Sequence, residues 1–463
     1  MDGGVVTGLI DAAAREATLL AAIGFLIGGI DDLIVDIIYF ARLARRHLRG
    51  MPELTLAALP PPSRPIAVFV PAWDEAAVIG AMLRTALARW THPELGLYVG
   101  VYPNDSATID RVAGVALADP RVRLVINHRP GPTTKADCLN SLWLAMLLEE
   151  ERGIEPAAAI VLHDAEDVVH AGELAIYDVL IGGFDAVQIP VLPLPDRTSR
   201  FVGGTYLDEF AEAHAKQLVV RQAVGAGLPF AGVGCAVSRA MMGRIADIRH
   251  GQPFDAGSLT EDYELGLTVA AMGGRIATER LRETPGGAPV AVRALFPGKL
   301  AAAVRQKSRW MVGIALAGWD RVGWRGARSI AEVWMRMRDR RQPIAVLLLA
   351  VAYCALLLWG LSYARTLFGG AAPTFVGPEL QALLSINIAL FAWRLLMRAG
   401  FVGHAYGVQE ALLSLPRFFV GNIIALIAAR RAVFRYAAML RGGAVRWDKT
   451  DHSFPSELAE RPA

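Results

Sequence analysis

The stretch RPIAVFVPAWDEAAVIGAMLRTALARWTHPELGLYVGVYPND, residues 64–105, decides the fold. Two short apolar runs, IAVFV (66–70) and LYVGVY (97–102), flank a helical-looking segment. Each ends in a polar cluster, Trp73-Asp74-Glu75 after the first and Asn104-Asp105 after the second. VRLVI (122–126) and AAAIVL (157–162) continue the pattern, and the last leads into His163-Asp164-Ala165-Glu166-Asp167. Apolar runs this short, alternating with helices, predict strands of a buried, mostly parallel sheet. Ligands of such sheets bind beyond the carboxyl ends of the strands, which is where these clusters stand. No GxGxxG or GxxxxGK[ST] follows any of them, so neither a dinucleotide fold nor a P-loop is supported.

Around this core the 463 residues are 54% hydrophobic and 20% charged, with a mean hydropathy of +0.37. That exceeds the apolar share of soluble domains, about 45–50%. Disorder, collagen and coiled coil are excluded, and the charges and prolines of the long middle argue against a purely polytopic bundle. The net charge of +3 carries no message, and nothing points to nucleic acid. Cys138, Cys235 and Cys354 are isolated, so a disulfide framework is not expected and the soluble part faces a reducing compartment. The start, MDGGVVTGLIDAAARE, lacks a basic region and a cleavage site, so the first apolar stretch is expected to remain.

Residues 343–364, PIAVLLLAVAYCALLLWGLSYA, hold no charge and suffice to cross a bilayer. Residues 380–397 form a second span, with Arg394 snorkelling near one end. Thr18 to Ala41 carries Asp31, Asp32 and Asp36, which lipid does not hold cheaply. It reads as a tilted helix whose later turns lie at the interface or against protein; a surface helix stays open. Residues 418–429, FFVGNIIALIAA, are short and arginine-flanked, which predicts a helix lying in the interface. Three crossings follow. Arginines at 42, 45, 46 and 49 and at 336, 338, 340 and 341 place residues 42–341 in the cytoplasm.

The chemistry-bearing residues follow in order. Asp164 and Glu166 leave a strand end with one residue between them, so a turn can aim both at a hard cation, Mg²⁺ or Mn²⁺, bridging a diphosphate. Lys135, in TTKADCLN, can oppose the same phosphates; His163 reads as packing. In SLTEDYELGL (258–267) Thr260 is a helix cap, and Asp262, next to Glu261, can serve as a general base. RQKSRWMVG (305–313) sets Gln306 and Trp310 on one helical face with Arg309 beside them, a guanidinium for diphosphate and an indole for a sugar.

Taken in this order, with TED and QxxRW as the specific pair, the motifs resemble the processive family-2 glycosyltransferases, the GT-A group that includes cellulose, chitin and hyaluronan synthases. VPAWDEAAVI (70–79), RPGPTTKADCLN (129–140), LHDAEDVV (162–169), GTYLDEFAEAH (204–214), AGVGCAVSR (231–239) and WDKTDH (447–452) narrow it to a bacteriophage-adsorption branch of inner-membrane enzymes. The resemblance implies a GT-A-type α/β domain attached to a small transmembrane helical region. Its expected layout is a transmembrane or interface helix (1–50), linker (51–63), catalytic domain (64–341), two spans (342–400), interface helix and gating segment (401–452) and tail (453–463).

Roles carried over by that resemblance are these. Glu75 and Asp105 contact the nucleobase and ribose of a nucleotide-sugar donor, UDP-linked by family habit, and Lys135 approaches its diphosphate. Asp164 and Glu166 hold the metal and diphosphate; the family has Asp at the second place, so Asp167 is a substitute. Asp262, with Glu261, is catalytic. Gln306 and Arg309 hold the diphosphate, and Trp310 the acceptor's terminal sugar. Tyr206, Asp208, Glu209 and His214 line the acceptor site, and Trp447, Lys449 and Thr450 fall at a gating loop. The implied activity is inverting transfer to a growing glycan, with export through an envelope partner. A non-processive enzyme acting on a lipid-linked acceptor and a non-catalytic docking subunit stay open. Branch members carry a further cytoplasmic regulatory domain; no PilZ-like RxxxR module is recognisable in these residues.

Overall fold

The computed structural model describes residues 3–324, 326, 329–369, 376–442 and 452–455. Seven strands form one sheet: β1 (Ile66–Pro71), β2 (Leu95–Val101), β3 (Val122–Ile126), β4 (Ala159–Leu162), β5 (Ala186–Gln188), β6 (Cys235–Ser238) and β7 (Ile276–Thr278). Their order is β3-β2-β1-β4-β6-β5-β7, parallel except where β6 meets β4 and β5. The four apolar runs are β1 to β4. The sequence reading missed β5 and β7, which at three residues are too short to display a period, and β6, which has the length of β4 but ends in Ser238.

Both sheet faces are buried, which is why the strands read as continuous apolar runs rather than alternating ones. Ile66, Val68 and Val70 pack on one side against the helices Ile79–Arg89, Ser106–Ala116 and Glu173–Ile181. Ala67 and Phe69 pack on the other against Lys135–Glu151, Arg239–Ile248 and Glu261–Ala271. The carboxyl ends of β1, β2 and β4 therefore open on a common edge. All three cysteines are free.

Four helices among the described residues are long and apolar enough to cross a membrane: Gly8–Leu48, Gln342–Phe368, Pro378–Tyr406 and Val408–Leu440. The fourth corrects the expectation of a short interfacial helix at 418–429, since those residues are the middle of a continuous 33-residue helix. The flanking Arg417 misled the reading. It marks no membrane surface; it is buried, donates to the Arg200 carbonyl (2.6 Å) and pairs with Asp208 (3.2 Å) and Glu410.

The acidic turns of the first long helix pack against protein. Asp31 and Asp32 meet Arg338 and Arg341, with Arg341 2.5 Å and Arg338 2.9 Å from Asp32. Asp36 is buried between Lys216 and the Trp393 indole N–H, which lies 2.9 Å away. Arg394 reaches Glu212 in the helix Gly204–Glu212 (3.1 Å). Carboxylates that lipid would expel are thus neutralised by cations from the sheet domain and from neighbouring long helices. The same pairs tie the long helices to the domain that carries the candidate site.

Candidate active site

A cavity of about 130 Å³ opens beyond the strand ends. Lys135, Asp164, Glu166, Glu261, Asp262, Gln306, Arg309 and Trp310 all line it, although they span some 180 positions of sequence. They come from the loop after β4 and from the starts or ends of three helices, Lys135–Glu151, Glu261–Ala271 and Leu300–Trp310. Thr134 caps the helix Lys135–Glu151, its hydroxyl accepting from the Asp137 N–H at 3.2 Å, which sets Lys135 at the helix mouth. Asn104 clamps the loop before it through both Gly131 backbone groups (2.7 and 2.8 Å). Gly131 admits no Cβ, because the Trp73 ring lies 2.4 Å from where one would be.

Lys135 Nζ sits 2.5 Å from Asp164 and 3.8 Å from Glu261. Burial works against its charge, but Asp164, Glu261 and Asp262 outweigh it and hold the ammonium above its usual range. Burial pushes the carboxyl of Asp262 up, with Lys135 opposing. Glu261 rises to about 7 for the same first reason. Asp262 Oδ1 accepts from the Tyr263 N–H (2.8 Å). Its Oδ2 lies against Gly232, whose φ of +82° and lack of a Cβ allow that approach. Thr260 holds the N-cap position of the helix Glu261–Ala271, yet its hydroxyl makes no capping bond; Gly313 packs on it instead.

Glu166 belongs to a second cluster. Its carboxylate, that of Glu75 and the His452 imidazole offer ligand atoms within 4.8 Å of one another. His452 Nδ1 is 2.8 Å from Glu75 and Nε2 is 3.3 Å from Glu166. Burial pushes Glu166 to about 8, with Asp164, Glu75 and Asp167 adding and His452 opposing. His452 is raised to about 9, where Glu166 and Glu75 overcome the cost of burial. The crowded carboxylates suit a hard cation such as Mg²⁺ or Mn²⁺, and an imidazole nitrogen favours a transition metal over Mg²⁺. Asp167 also lines the cavity; one of its oxygens, Oδ2, is engaged by His163 (2.8 Å) and the Asp164 N–H (3.0 Å). His163 is fully buried between Asp167 and Glu173, the packed residue the sequence suggested.

Glu75 and Asp105 stand at the rim and are not among the residues lining the cavity. The Asp105 carboxylate is committed to backbone, capping Ser106–Ala116 through the Thr108 N–H (3.2 Å) and taking the Asp74 N–H (2.6 Å). At the opposite end Phe210, Phe296 and Trp310 form an aromatic wall, Phe210 lying 4.9 Å from Phe296 and 6.2 Å from Trp310 between centroids. Of the residues expected here, Tyr206 is fully buried behind that wall, 4.8 Å from Phe296. Asp208 is not at the wall at all. Two positions from either aromatic residue, it points to the other side of its helix, into the pair with Arg417. His214 stacks on the far side of Phe210, and burial with Arg280 drives it down to about 3, so it is neutral. Glu209 pairs with Lys307. Trp447, Lys449 and Thr450 lie outside the described residues.

Four residues escaped the sequence reading. Phe210 was findable, standing i+4 from Tyr206 and i−4 from His214 on one stripe. Lys307 lay inside the quoted QxxRW segment, and His452 ended the quoted WDKTDH. Phe296 has no local signal; a loop brings it in.

Fold and site define a GT-A-like enzyme scaffold: a mixed α/β sheet with acids at its strand ends, joined to long apolar helices. Residues 61–313 match the family described as glycosyltransferase like family 2, and the chain belongs to that family. It is similar to bacteriophage adsorption protein B of Escherichia coli strain K12 and to bacteriophage N4 adsorption protein B of Escherichia coli O157:H7, each 36% identical over 471 residues. The alignments cover 95% of this chain but 62% of those proteins, so it spans less than two thirds of their length. Among solved structures it is similar to the mannosyltransferase PcManGT from Pyrobaculum calidifontis, in complex with GDP-Man and Mn²⁺. That match has a TM-score of 0.54 and 18% identity over 90% of this chain and 99% of the other, a likeness of fold.

Proposed function

We propose that this protein is an inverting glycosyltransferase of the inner membrane, transferring sugar from a nucleotide-sugar donor to the end of a growing glycan. One observation carries the reading. Lys135, Asp164, Asp262 and Arg309 meet in a single cavity with an aromatic wall at its far end. Two cations and two acids from four separate stretches of the chain line one cavity, an arrangement that suits a charged ligand.

The chemistry follows from charge. The acceptor hydroxyl attacks the anomeric carbon, the bond to the diphosphate oxygen breaks, and the hydroxyl proton passes to Asp262. A raised carboxyl pKa suits a base that must hold a proton after transfer. Lys135 and Arg309 oppose the charge building on the leaving diphosphate, the electrostatic term that usually dominates. The buried Nε of Arg309 and Oε1 of Gln306 have no hydrogen-bond partner among the described residues, as expected of groups reserved for a ligand. Glu166, His452 and Glu75 would hold the divalent cation, with Asp164 alongside, and such an ion supplies Lewis-acid neutralisation of the diphosphate. A single displacement inverts the anomeric configuration, so no covalent sugar–enzyme intermediate is needed.

The arginines in the last turns of the first long helix and just beyond it, with those that precede the second, favour a cytoplasmic catalytic domain. Such placement suits a donor made in the cytoplasm. Elongation and export through an envelope partner rest on the QxxRW motif and on the long helix Val408–Leu440, which packs directly beneath Trp310. The test is a panel of UDP- and GDP-hexoses offered to the purified chain in detergent, with mass analysis of products. A ladder of oligosaccharides is the expected result. Transfer of one sugar to added lipid would move the reading to the non-processive alternative, and no turnover of any donor would remove the enzyme.

A further inference from the structure

Lys307 has no role in the chemistry above, yet it is held in a costly place. It lies in the QxxRW segment between Gln306 and Arg309, with a side chain 13% exposed. Its ammonium sits 4.7 Å from the centroid of the Tyr206 ring and 5.1 Å from that of Trp310, and it pairs with the half-exposed Glu209. The two rings stand edge to face, 6.0 Å apart and 88° between planes, so one cation serves both. Lysine ammoniums are strongly hydrated and are seldom kept out of water without return. Burial and the Arg398 guanidinium push this one down towards 7. Glu209 stands beside it as its ion-pair partner.

We propose that Lys307 is a positioning residue for the acceptor wall: clamped by Glu209 against Tyr206 and Trp310, it fixes the tilt at which the Trp310 indole receives the acceptor's terminal sugar ring. The inference rests on the acceptor reading of Trp310 given above. Trp310 is the cavity-lining member of the trio, whereas Tyr206 is fully buried behind it. Phe210 packs against the indole and Phe296 packs against Phe210 and Tyr206, so the ammonium adds a polar restraint to an otherwise aromatic setting. Glu209 and Tyr206 come from the helix Gly204–Glu212 and Lys307 from the helix Leu300–Trp310, so the clamp also locks these two helices in register. Donor-side groups are not part of it.

The experiment compares Lys307→Met, Lys307→Arg and Trp310→Ala in the full chain. The donor is the nucleotide sugar the wild type turns over in the UDP- and GDP-hexose panel. The added acceptor is the wild type's own purified oligosaccharide product. Lys307→Met is expected to raise the acceptor KM about tenfold, with kcat, donor affinity and donor hydrolysis by water within threefold of wild type. Lys307→Arg, whose guanidinium still reaches Glu209 and stacks on an indole, is expected to restore the acceptor KM to within threefold. An unchanged acceptor KM in Lys307→Met beside an impaired Trp310→Ala overturns the role of Lys307 and leaves the enzyme reading standing. So does Lys307→Arg failing as badly as Met, or a parallel loss of donor hydrolysis and thermal stability, which marks a structural lysine. A Trp310→Ala that leaves acceptor KM untouched removes the acceptor wall itself, and the proposal with it.

Discussion

Replacing Gly232 by alanine perturbs the proposed base without touching its chemistry. A Cβ at this position would stand 2.5 Å from Asp262 Oδ2 and 3.3 Å from its Cγ. Ordinary contact begins near 3.4 Å, so the carboxylate must retreat by about 1 Å, and an error of that size costs about a hundredfold in rate. The backbone adds a second charge to the account, because φ is +82° and a left-handed L-residue costs about 1–2 kcal/mol. That is a fraction of the roughly 5–15 kcal/mol that holds a domain together, so the variant folds. Gly234→Ala is the control. It has φ of +61° and meets Val292 at 2.9 Å, so it carries comparable backbone strain with Asp262 undisturbed. Transfer kcat, donor affinity by calorimetry and thermal midpoint are measured for both. Gly232→Ala is expected to lose about a hundredfold in kcat with donor affinity kept; Gly234→Ala loses midpoint and keeps kcat. Equal kcat in the two variants would refute the placement of Asp262 as base.

Further expectations follow from the same geometry. A base must be ionised, and burial holds Asp262 above the usual aspartate range, so kcat/KM falls as pH drops through that raised pKa. Lys135→Met removes the main opposing cation and is expected to move the acid limb to higher pH; a stationary limb contradicts the pairing. Arg417→Met strands the fully buried Asp208 with Arg398, at 3.9 Å, as its remaining cation among the described residues, and is expected to cost about 3–5 kcal/mol in detergent unfolding. Pairing it with Asp208→Leu should recover most of that, whereas additive losses would mean the two do not interact. Chelation is expected to stop turnover, with Mn²⁺ or Mg²⁺ restoring it. His452→Ala should raise the cation concentration needed at least tenfold, and an unchanged requirement would place the ion elsewhere.

The core of the sheet was legible because β1, β2 and β4 are buried almost throughout and leave apolar runs, with β3 partly buried at the sheet edge. The strands β5 and β7 were not, at three residues each, and β6, though as long as β4, ends in a polar serine rather than forming an apolar run. The length of the helix around Arg417 was misread for a physical reason: hydropathy treats every arginine as facing water or headgroups, and this one faces Asp208. The same blindness made the acids of the first long helix look misplaced until Arg338, Arg341 and Lys216 supplied their partners. At the site, strand-end acids and QxxRW were readable from order and spacing. Side-chain direction was not, which is why Asp208 was expected beside Tyr206 although it turns to the other side of the helix. His452 arrives from the far end of the chain, and only folding sets it between Glu75 and Glu166.

The central claim is that one cavity binds a nucleotide sugar and that Asp262 then draws the proton from the acceptor. It is tested most directly by Asp262→Asn in the full chain, with donor binding by calorimetry and nucleoside diphosphate release measured on the same preparation. Binding within threefold of wild type together with at least a thousandfold loss of release is the predicted result. Turnover persisting at the wild-type rate, or donor binding lost along with it, contradicts the account.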